Sequence, residues 1–357
     1  PAAASPQEDL PKHDYRDDAF GDAAVERVPD VAVSSGRAWS RSGSVVAERG
    51  PLQRVASLQV EATDAAPSTE GAALSPGCAE RAEDVVVGSQ LTWVRNEMIG
   101  RGSLGKVFRA LDKATGRTIA VKEVPIDSND ADDQEYREAL ENEIEIMRDL
   151  KHPHILGYLG HDYLNGSVYI YLEHMPGGTL TQALQQYGPF EESLMARYSK
   201  QLLDGLEYMH TLSPSIVHRD IKGSNILIAI DGRAKLADFG CSKRANRTLT
   251  HTMRGSIPWM APEVIAHSRH GLAADIWSFG CVGIEMATAA IPWGRFDNPM
   301  AAMVKIGMSS ETPPIPEGLS DACRDLIGHC VVRDPELRWS ASELLRHELV
   351  RDIPSLE

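Results

Sequence analysis

Residues 1 to about 90 carry no sustained hydrophobic period. Ala, Pro, Ser and Gly dominate, large apolar residues are few, and acids outnumber Lys and Arg. Such a stretch buries too little apolar surface to offset the entropy lost on ordering, so it reads as a disordered, low-complexity region. From Leu91 the pattern changes. Residues 92–124 read as strands around Gly-rich turns, and Leu140, Ile144 and Met147 recur at helical spacing within 135–150. Short strands are expected around 155–173, followed by a long amphipathic helix through Met195, Tyr198, Leu202, Leu206 and Met209. Beyond Gly271 the segments are mainly helical, and the stretch from Asp275 to Met286 is apolar nearly all round, the mark of a helix buried inside a domain. Strands first and helices later predict an α+β fold in two lobes: a small β-rich lobe over 91–173, a larger mainly helical lobe over 176–350, and a tail at 351–357. No internal repeat is present.

Composition narrows the function classes. The 357 residues suffice for one large domain, or two modest ones, plus flexible sequence. A net charge of -15 argues against nucleic acid or an anionic membrane as the main partner, because both would repel it. No run approaches the roughly 18 apolar residues that span a bilayer. The five cysteines, Cys78, Cys241, Cys281, Cys323 and Cys330, are scattered without Cys-x-x-Cys spacing, which predicts reduced thiols in a cytoplasmic setting. The sequence opens on Pro1 and not on Met, so a native targeting signal can lie upstream of it. Arg54-Val55-Ala56-Ser57 reads first as a basic residue near a serine, and only second as a phosphorylation site.

The first motif with chemical content is Gly100-Arg101-Gly102-Ser103-Leu104-Gly105-Lys106-Val107. Alone, its glycine spacing fits a dinucleotide-binding turn as well as a phosphate-covering loop. A dinucleotide fold would open a helix here, whereas β-type residues (Val107-Phe108) continue directly. In Ile119-Ala120-Val121-Lys122, alternation puts Ala120, Lys122 and Val124 on one strand face, so Lys122 points at an apolar surface. A lysine there needs partners to justify its desolvation, and phosphate oxygens with a carboxylate would supply them. In isolation a strand-edge surface lysine is the better reading. Glu143 is the candidate carboxylate by its register before His152-Pro153, although Glu138, Glu141 and Glu145 share the helix. The densest signal follows: Val217-His218-Arg219-Asp220-Ile221-Lys222-Gly223-Ser224-Asn225, then Asp238-Phe239-Gly240, then Ala261-Pro262-Glu263. Phosphoryl transfer requires groups that hold phosphates, oxygen ligands for Mg²⁺ and an acceptor for the hydroxyl proton. Asn225 and Asp238 offer the oxygens, Asp220 accepts the proton, and Lys222 neutralises charge on the transferring group.

With these blocks in this order, the chain resembles the eukaryotic protein kinases from about Thr92 to about Leu349, and within them the MAP kinase kinase kinases. The finer likeness is carried by Leu172-Glu173-His174-Met175-Pro176-Gly177-Gly178-Thr179-Leu180, by the stretch from Gly255 to Val264, by that from Glu285 to Trp293, and by Phe296-Asp297-Asn298 leading to Pro314-Ile315-Pro316. The resemblance implies the bilobal kinase fold, with ATP and Mg²⁺ as cofactors. Ile99 to Val107 would cover the phosphates, and Lys122 would hold them and pair with Glu143. Val107, Ala120 and Leu227 would sandwich adenine, Leu172 would stand as gatekeeper, and Glu173 and Met175 would offer hinge backbone groups. Tyr158, Met147, Phe239 and His218 would stack between the lobes, Asp275 would brace the catalytic loop, and Glu263 would pair with Arg338.

The resemblance also speaks to substrate and control. Lys222 after the catalytic aspartate is the Ser/Thr-directed pattern, and Thr179 and Ser224 stand where basophilic kinases place acids. The expected partner is a protein substrate, a MAP kinase kinase. Arg219 beside Asp220 implies a need for an anion, supplied by phosphate on the activation loop, from an upstream kinase or from autophosphorylation. Thr248, Thr250, Thr252 and Ser256 are the candidates, with Thr250 and Thr252 favoured. Ser256 stands where a structural Thr is common. Leu104 at the loop tip, Trp339 after Arg338 and His347-Glu348 depart from the family pattern, away from the phosphates. Cys241 reads as a buried inert thiol ahead of a reactive one.

Overall fold

A computed structural model describes residues 85–101, 105–126, 131–239, 256–266 and 271–354. The low-complexity reading of residues 1–84 therefore lies outside the described residues. In chain order the elements are β1 (Val85–Val87), β2 (Thr92–Arg101), β3 (Lys106–Asp112), β4 (Thr118–Pro125), α1 (Ala131–Asp149), β5 (Tyr158–Leu164), β6 (Ser167–Glu173), α2 (Leu180–Tyr187) and α3 (Glu192–Thr211). They continue with β7 (Ile226–Ile228), β8 (Ala234–Leu236), α4 (Pro262–Ile265), α5 (Leu272–Thr288), α6 (Pro299–Met308), α7 (Asp321–Cys330) and α8 (Ala341–Leu344). The first six strands form one antiparallel sheet in the order β1-β2-β3-β4-β6-β5, and β7 and β8 form a separate hairpin.

One boundary moves. β1 lies inside the stretch for which no element is expected, pairing Val85 with Val94 and Val87 with Thr92. Three consecutive valines favour extended backbone. A carboxylate distant in sequence then fixes the turn that follows: Asp162 accepts from the backbone N–H groups of Ser89 (3.0 Å) and Gln90 (3.2 Å), and from the hydroxyls of Ser89 and Tyr171.

β4 explains why the sheet has no clean alternation along its middle. Ala120 and Val124 join the main core, while Ile119 and Val121 join a second cluster with Trp93, Ala110, Tyr169 and Tyr171. A strand covered on both faces reads as a continuous apolar run, and Lys122 interrupts it on the face shared with Ala120 and Val124.

In the helical part, α5 packs on α3 and α7, and every residue from Ala274 to Met286 is buried. The guanidinium of Arg338 ties this region together. It donates to Glu263 (2.8 Å) and to the carbonyls of Val332 (2.8 Å) and Ala273 (2.5 Å), so the pair expected from the resemblance is present. The charge is fully engaged, as a buried guanidinium requires. Cys281, Cys323 and Cys330 are free and buried.

The Asp162 staple makes a testable claim. Burial alone would raise its pKa, but the hydrogen bonds from Ser89, Tyr171 and the Gln90 backbone outweigh burial and hold the carboxyl below the ordinary aspartate range. Its contribution to stability is therefore complete above the unfolded value of about 3.9 and is lost as pH falls through the lower folded value. Asp162→Ala is expected to cost about 1–3 kcal/mol at neutral pH, read from urea unfolding. The deficit should shrink in acid; one that stays constant down to acid pH would show that the charge is not the source.

Candidate functional site

The loop between α3 and β7 is held in place from below by α5. The Asp275 carboxylate accepts the backbone N–H groups of His218 (2.8 Å) and Arg219 (2.8 Å), and its Oδ2 lies 3.0 Å from His210 Nε2. Arg219 has φ 72°, a left-handed conformation unfavourable for a residue with a Cβ. Two charge-assisted bonds spanning that peptide supply the constraint that keeps it there. The bend presents Asp220 at the surface of the loop. Asp220 Oδ2 accepts from Lys222 Nζ (2.7 Å) and from Asn225 Nδ2 (2.8 Å), and the same amide group donates to the Asp220 carbonyl (2.8 Å). With its nitrogen spent on Asp220, Asn225 retains an oxygen, the atom type that hard cations take.

Lys122 provides the link between sheet and loop. Its Nζ lies 3.4 Å from Glu143 Oε1 on α1 and 3.2 Å from Asp238 Oδ1, just after β8. Burial alone would lower the ammonium pKa, but the charges of Asp238 and Glu143 outweigh it and hold the group above the usual lysine range. The same Lys122 charge, against an opposing effect of burial, lowers the Asp238 carboxyl. Lys122 is thus a fixed cation and Asp238 a fixed anion at neutral pH. Asp238 has φ 64° and stays accessible, whereas Phe239 turns inward against the His218 ring, with centroids 4.9 Å apart. Met147 and Phe239 lie in the main core and Tyr158 packs against it.

An apolar surface adjoins these charges. Ala120, Leu172 and Met175 are buried in the core cluster, and Val107 and Leu227 pack against it. Val107 pairs with Lys122 and Ala120 with Leu172 across β3, β4 and β6, so strand register brings the expected adenine-facing residues to neighbouring positions. Ile99 stands apart, exposed on β2, and Arg101 pairs with Lys106 at the hairpin end. The side chain of Glu173 points to other partners: it accepts from the Gly157 N–H (2.6 Å) and from Lys235 Nζ (2.6 Å). That anchors the strand end and leaves only backbone groups for any ligand. Gly100 has ordinary room for a Cβ, but one on Gly105 would lie 2.0 Å from the Glu123 carbonyl, so glycine at 105 is required by packing as well. Gly102, Ser103 and Leu104, together with Gly240, Cys241, Thr248, Thr250 and Thr252, lie outside the described residues.

Ser256 stands where the resemblance put a structural hydroxyl, and one further side chain escapes a reading of residue pattern. Ser256 accepts from Lys222 Nζ at 2.6 Å, joining the segment before α4 to the catalytic loop. Glu285 sits on α5 within an apolar run and accepts hydrogen bonds from Thr181, Gly223 and Trp259. Burial raises its carboxyl above the usual range, against the pull of those three donors. Its only sequence signal is that it is one of two acids, with Asp275, in an otherwise apolar helix.

The arrangement offers an apolar surface, a half-buried cation beside an accessible carboxylate, an amide oxygen, and a second carboxylate flanked by an ammonium. That donor set fits a hard divalent cation carrying a phosphorylated, flat aromatic ligand.

Comparison with known proteins agrees with this geometry. Residues 93–350 match the family described as protein kinase domain. Among curated relatives, mitogen-activated protein kinase kinase kinase ANP1 of Arabidopsis thaliana is 42% identical over 276 residues, 75% of this chain and 41% of the relative. Mitogen-activated protein kinase kinase kinase A of Dictyostelium discoideum is 39% identical over 275 residues, 76% of this chain and 29% of the relative. Mitogen-activated protein kinase kinase kinase 19 of Mus musculus is 40% identical over 270 residues, 72% of this chain and 20% of the relative. The chain thus spans less than half the length of each of these relatives. With the family match covering most of its length and the geometry in accord, the chain belongs to the protein kinase domain family.

Proposed function

We propose that the chain is a Ser/Thr protein kinase of the MAP kinase kinase kinase type, transferring the γ-phosphate of ATP to Ser or Thr hydroxyls of a MAP kinase kinase. The observation that carries this reading is the coexistence of two charge centres: Lys122 between Glu143 and Asp238, and Asp220 between Lys222 and Asn225. The names of the relatives support the subfamily.

In this reading Val107, Ala120, Leu172 and Leu227 enclose the adenine, and backbone groups of Glu173 and Met175 meet its edge. Gly100, Gly102 and Gly105 let the loop from Ile99 to Val107, through Arg101, Ser103, Leu104 and Lys106, lie over the phosphates. Lys122 orients the phosphates from a position that Glu143 prevents from drifting. Asn225 and Asp238 hold Mg²⁺, which when bound supplies charge neutralisation on the phosphate oxygens. Asp220 orients the acceptor hydroxyl and takes its proton, and Lys222 stabilises the charge that develops on the transferring group. Ser256 fixes Lys222 by a short hydrogen bond and is buried, which favours a structural role for it. Activation-loop phosphorylation at Thr250 or Thr252, with Thr248 as a third candidate, supplies the anion for Arg219. Among the described residues no helix is long and apolar enough to cross a membrane, and three reduced, buried thiols support a cytoplasmic setting.

With purified chain, Mg-ATP and a MAP kinase kinase, Asp220→Asn is expected to lower kcat by about 10²–10⁴ while nucleotide affinity stays intact. Equal rates in mutant and wild type would sink the assignment of Asp220 as the proton acceptor. Asp238→Asn is expected to raise the Mg²⁺ concentration needed for half-maximal binding of a fluorescent ATP analogue, and an unchanged metal titration would remove Asp238 from the metal site. Phosphatase treatment should lower activity, and the Thr250→Ala, Thr252→Ala double variant should start low and no longer respond. Activity that survives both treatments would exclude this switch.

A further inference from the structure

The edge strand β1 is fastened by more than its pairing with β2. It has three residues, and the turn after it closes with the Gly88 N–H on the Leu91 carbonyl at 2.8 Å. Asp162 of β5 then takes the backbone N–H groups of Ser89 and Gln90 and the hydroxyls of Ser89 and Tyr171. β1 and β5 are the two outer strands of the six-stranded sheet, so one carboxylate ties edge to edge. Hydrogen-bond donors hold that charge, and among the described residues no Lys or Arg contributes to lowering the carboxyl.

The two partners differ in access. Asp162 is 4% exposed, whereas Ser89 is exposed. A Cβ on Gly88 would lie 2.1 Å from Asp162 Oδ2 and 2.9 Å from the Tyr171 hydroxyl, and one on Gly160 would lie 2.4 Å from Gln90 Oε1. The turn is thus packed directly on β5, and nothing larger fits between them. Behind it, Val86 and Leu91 cover the cluster of Trp93, Ala110, Ile119, Val121, Tyr169 and Tyr171. Val121 and Tyr171 are cross-strand partners, and they directly precede Lys122 and Leu172 in the chain. The strap therefore covers the back of the strands that carry the nucleotide-facing residues. From Ala82 to Val94 the chain holds no Lys or Arg, so Ser89 suits a kinase that does not demand basic flanks.

We propose that Ser89 is a phosphorylation site of this chain's own kinase activity, acting on a second copy, and that the phosphate unfastens β1 from Asp162 and weakens the sheet that carries Lys122. This rests on the kinase reading above. In the transfer, Ser89 Oγ bonds to the γ-phosphorus of ATP and the bond from that phosphorus to the β,γ-bridging oxygen breaks. ADP leaves, and the hydroxyl proton passes to the donor copy's Asp220 and on to solvent. A three-residue edge strand is among the first parts of a fold to open, which admits Ser89 to the donor's site. Afterwards Oγ no longer donates to Asp162, and a charge of about -1.5 to -2 stands beside that carboxylate. The modified turn does not close again.

The first arm of the test mixes wild-type chain and Mg-ATP with isotopically labelled Asp220→Asn chain as acceptor, and locates phosphate by peptide mass spectrometry. Phosphate is expected on Ser89 of the acceptor, and that peptide should stay unmodified in an Asp220→Asn, Ser89→Ala acceptor. A wild type that phosphorylates a MAP kinase kinase but leaves Ser89 untouched would overturn the proposal. One that phosphorylates neither would count against the kinase reading and leave the release to be decided by the second arm. There, phosphoserine is built into position 89 of the full chain, and hydrogen exchange needs no activity. Exchange over residues 85–94 should speed by about tenfold to a hundredfold, as for loss of a hydrogen bond to a charged group. In an Asp162→Asn background the difference between phosphorylated and unphosphorylated forms should shrink, because the like charge is gone. Each variant is compared with its own unphosphorylated form, so a general loss of stability cancels. The phosphorylated chain should also show a higher KM for ATP. Unchanged exchange, an equal response in Asp162→Asn, or an unaltered KM for ATP would each overturn the proposal.

Discussion

A polar group inside a close-packed apolar interior must be saturated, and in this protein that requirement organises the site. The α5 helix is buried on every side, so Asp275, Ser278 and Glu285 have no access to bulk water. Each is satisfied by a segment that carries chemistry: the backbone at His218 and Arg219, the carbonyl of Trp259, and the group formed by Thr181, Gly223 and the Trp259 indole. Burying the helix and ordering the catalytic loop are one event, because neither set of polar groups is satisfied without the other. The unfavourable φ of Arg219 persists for the same reason.

The sheet meets this platform through charge. Lys122, largely withdrawn from water, is held as an ammonium by Glu143 and Asp238, which come from a helix after β4 and from the strand end after β8. Its position therefore depends on α1 and on the Asp238–Phe239 backbone at once. Phe239 turns inward to the His218 ring while Asp238, at positive φ, turns out to the cation. Neighbouring residues are thus committed to opposite environments, one apolar and one ionic. The Asp162 staple and the Arg338 hub do comparable work at the two ends of the described chain, each a charge held by several donors or acceptors from segments distant in sequence.

Much of this was legible in the residues. The helical period of Leu140, Ile144 and Met147 marks α1, the apolar run from Asp275 marks α5, and the order of motifs singles out Asp220, Asn225 and Asp238 as candidates. What was not legible has specific causes. β1 was hidden because three valines in a polar context carry no period, and only pairing with β2 and the capture of Ser89 and Gln90 by Asp162 give them a partner. β4 blurred its alternation because both faces are covered. Glu173 was visible as a hinge position, but its side-chain bonds to Gly157 and Lys235 depend on elements that meet only after folding. The glycine at 105 looked like a property of the phosphate loop alone until the Glu123 carbonyl came within contact range.

The sequence by itself determined the class of fold, the identity of the charged groups and the order in which they occur, because hydrophobic period and residue chemistry are local properties of the chain. It also placed Lys122 on an apolar strand face, where a lysine needs an anion unless it lies at a solvated edge. Only the tertiary structure decided which anions answer it, which backbone N–H groups Asp275 braces, and that Glu285 links Trp259 to Gly223. Those pairings join residues tens of positions apart, and the free energy that selects them comes from closing a shared interior, which no single segment can do.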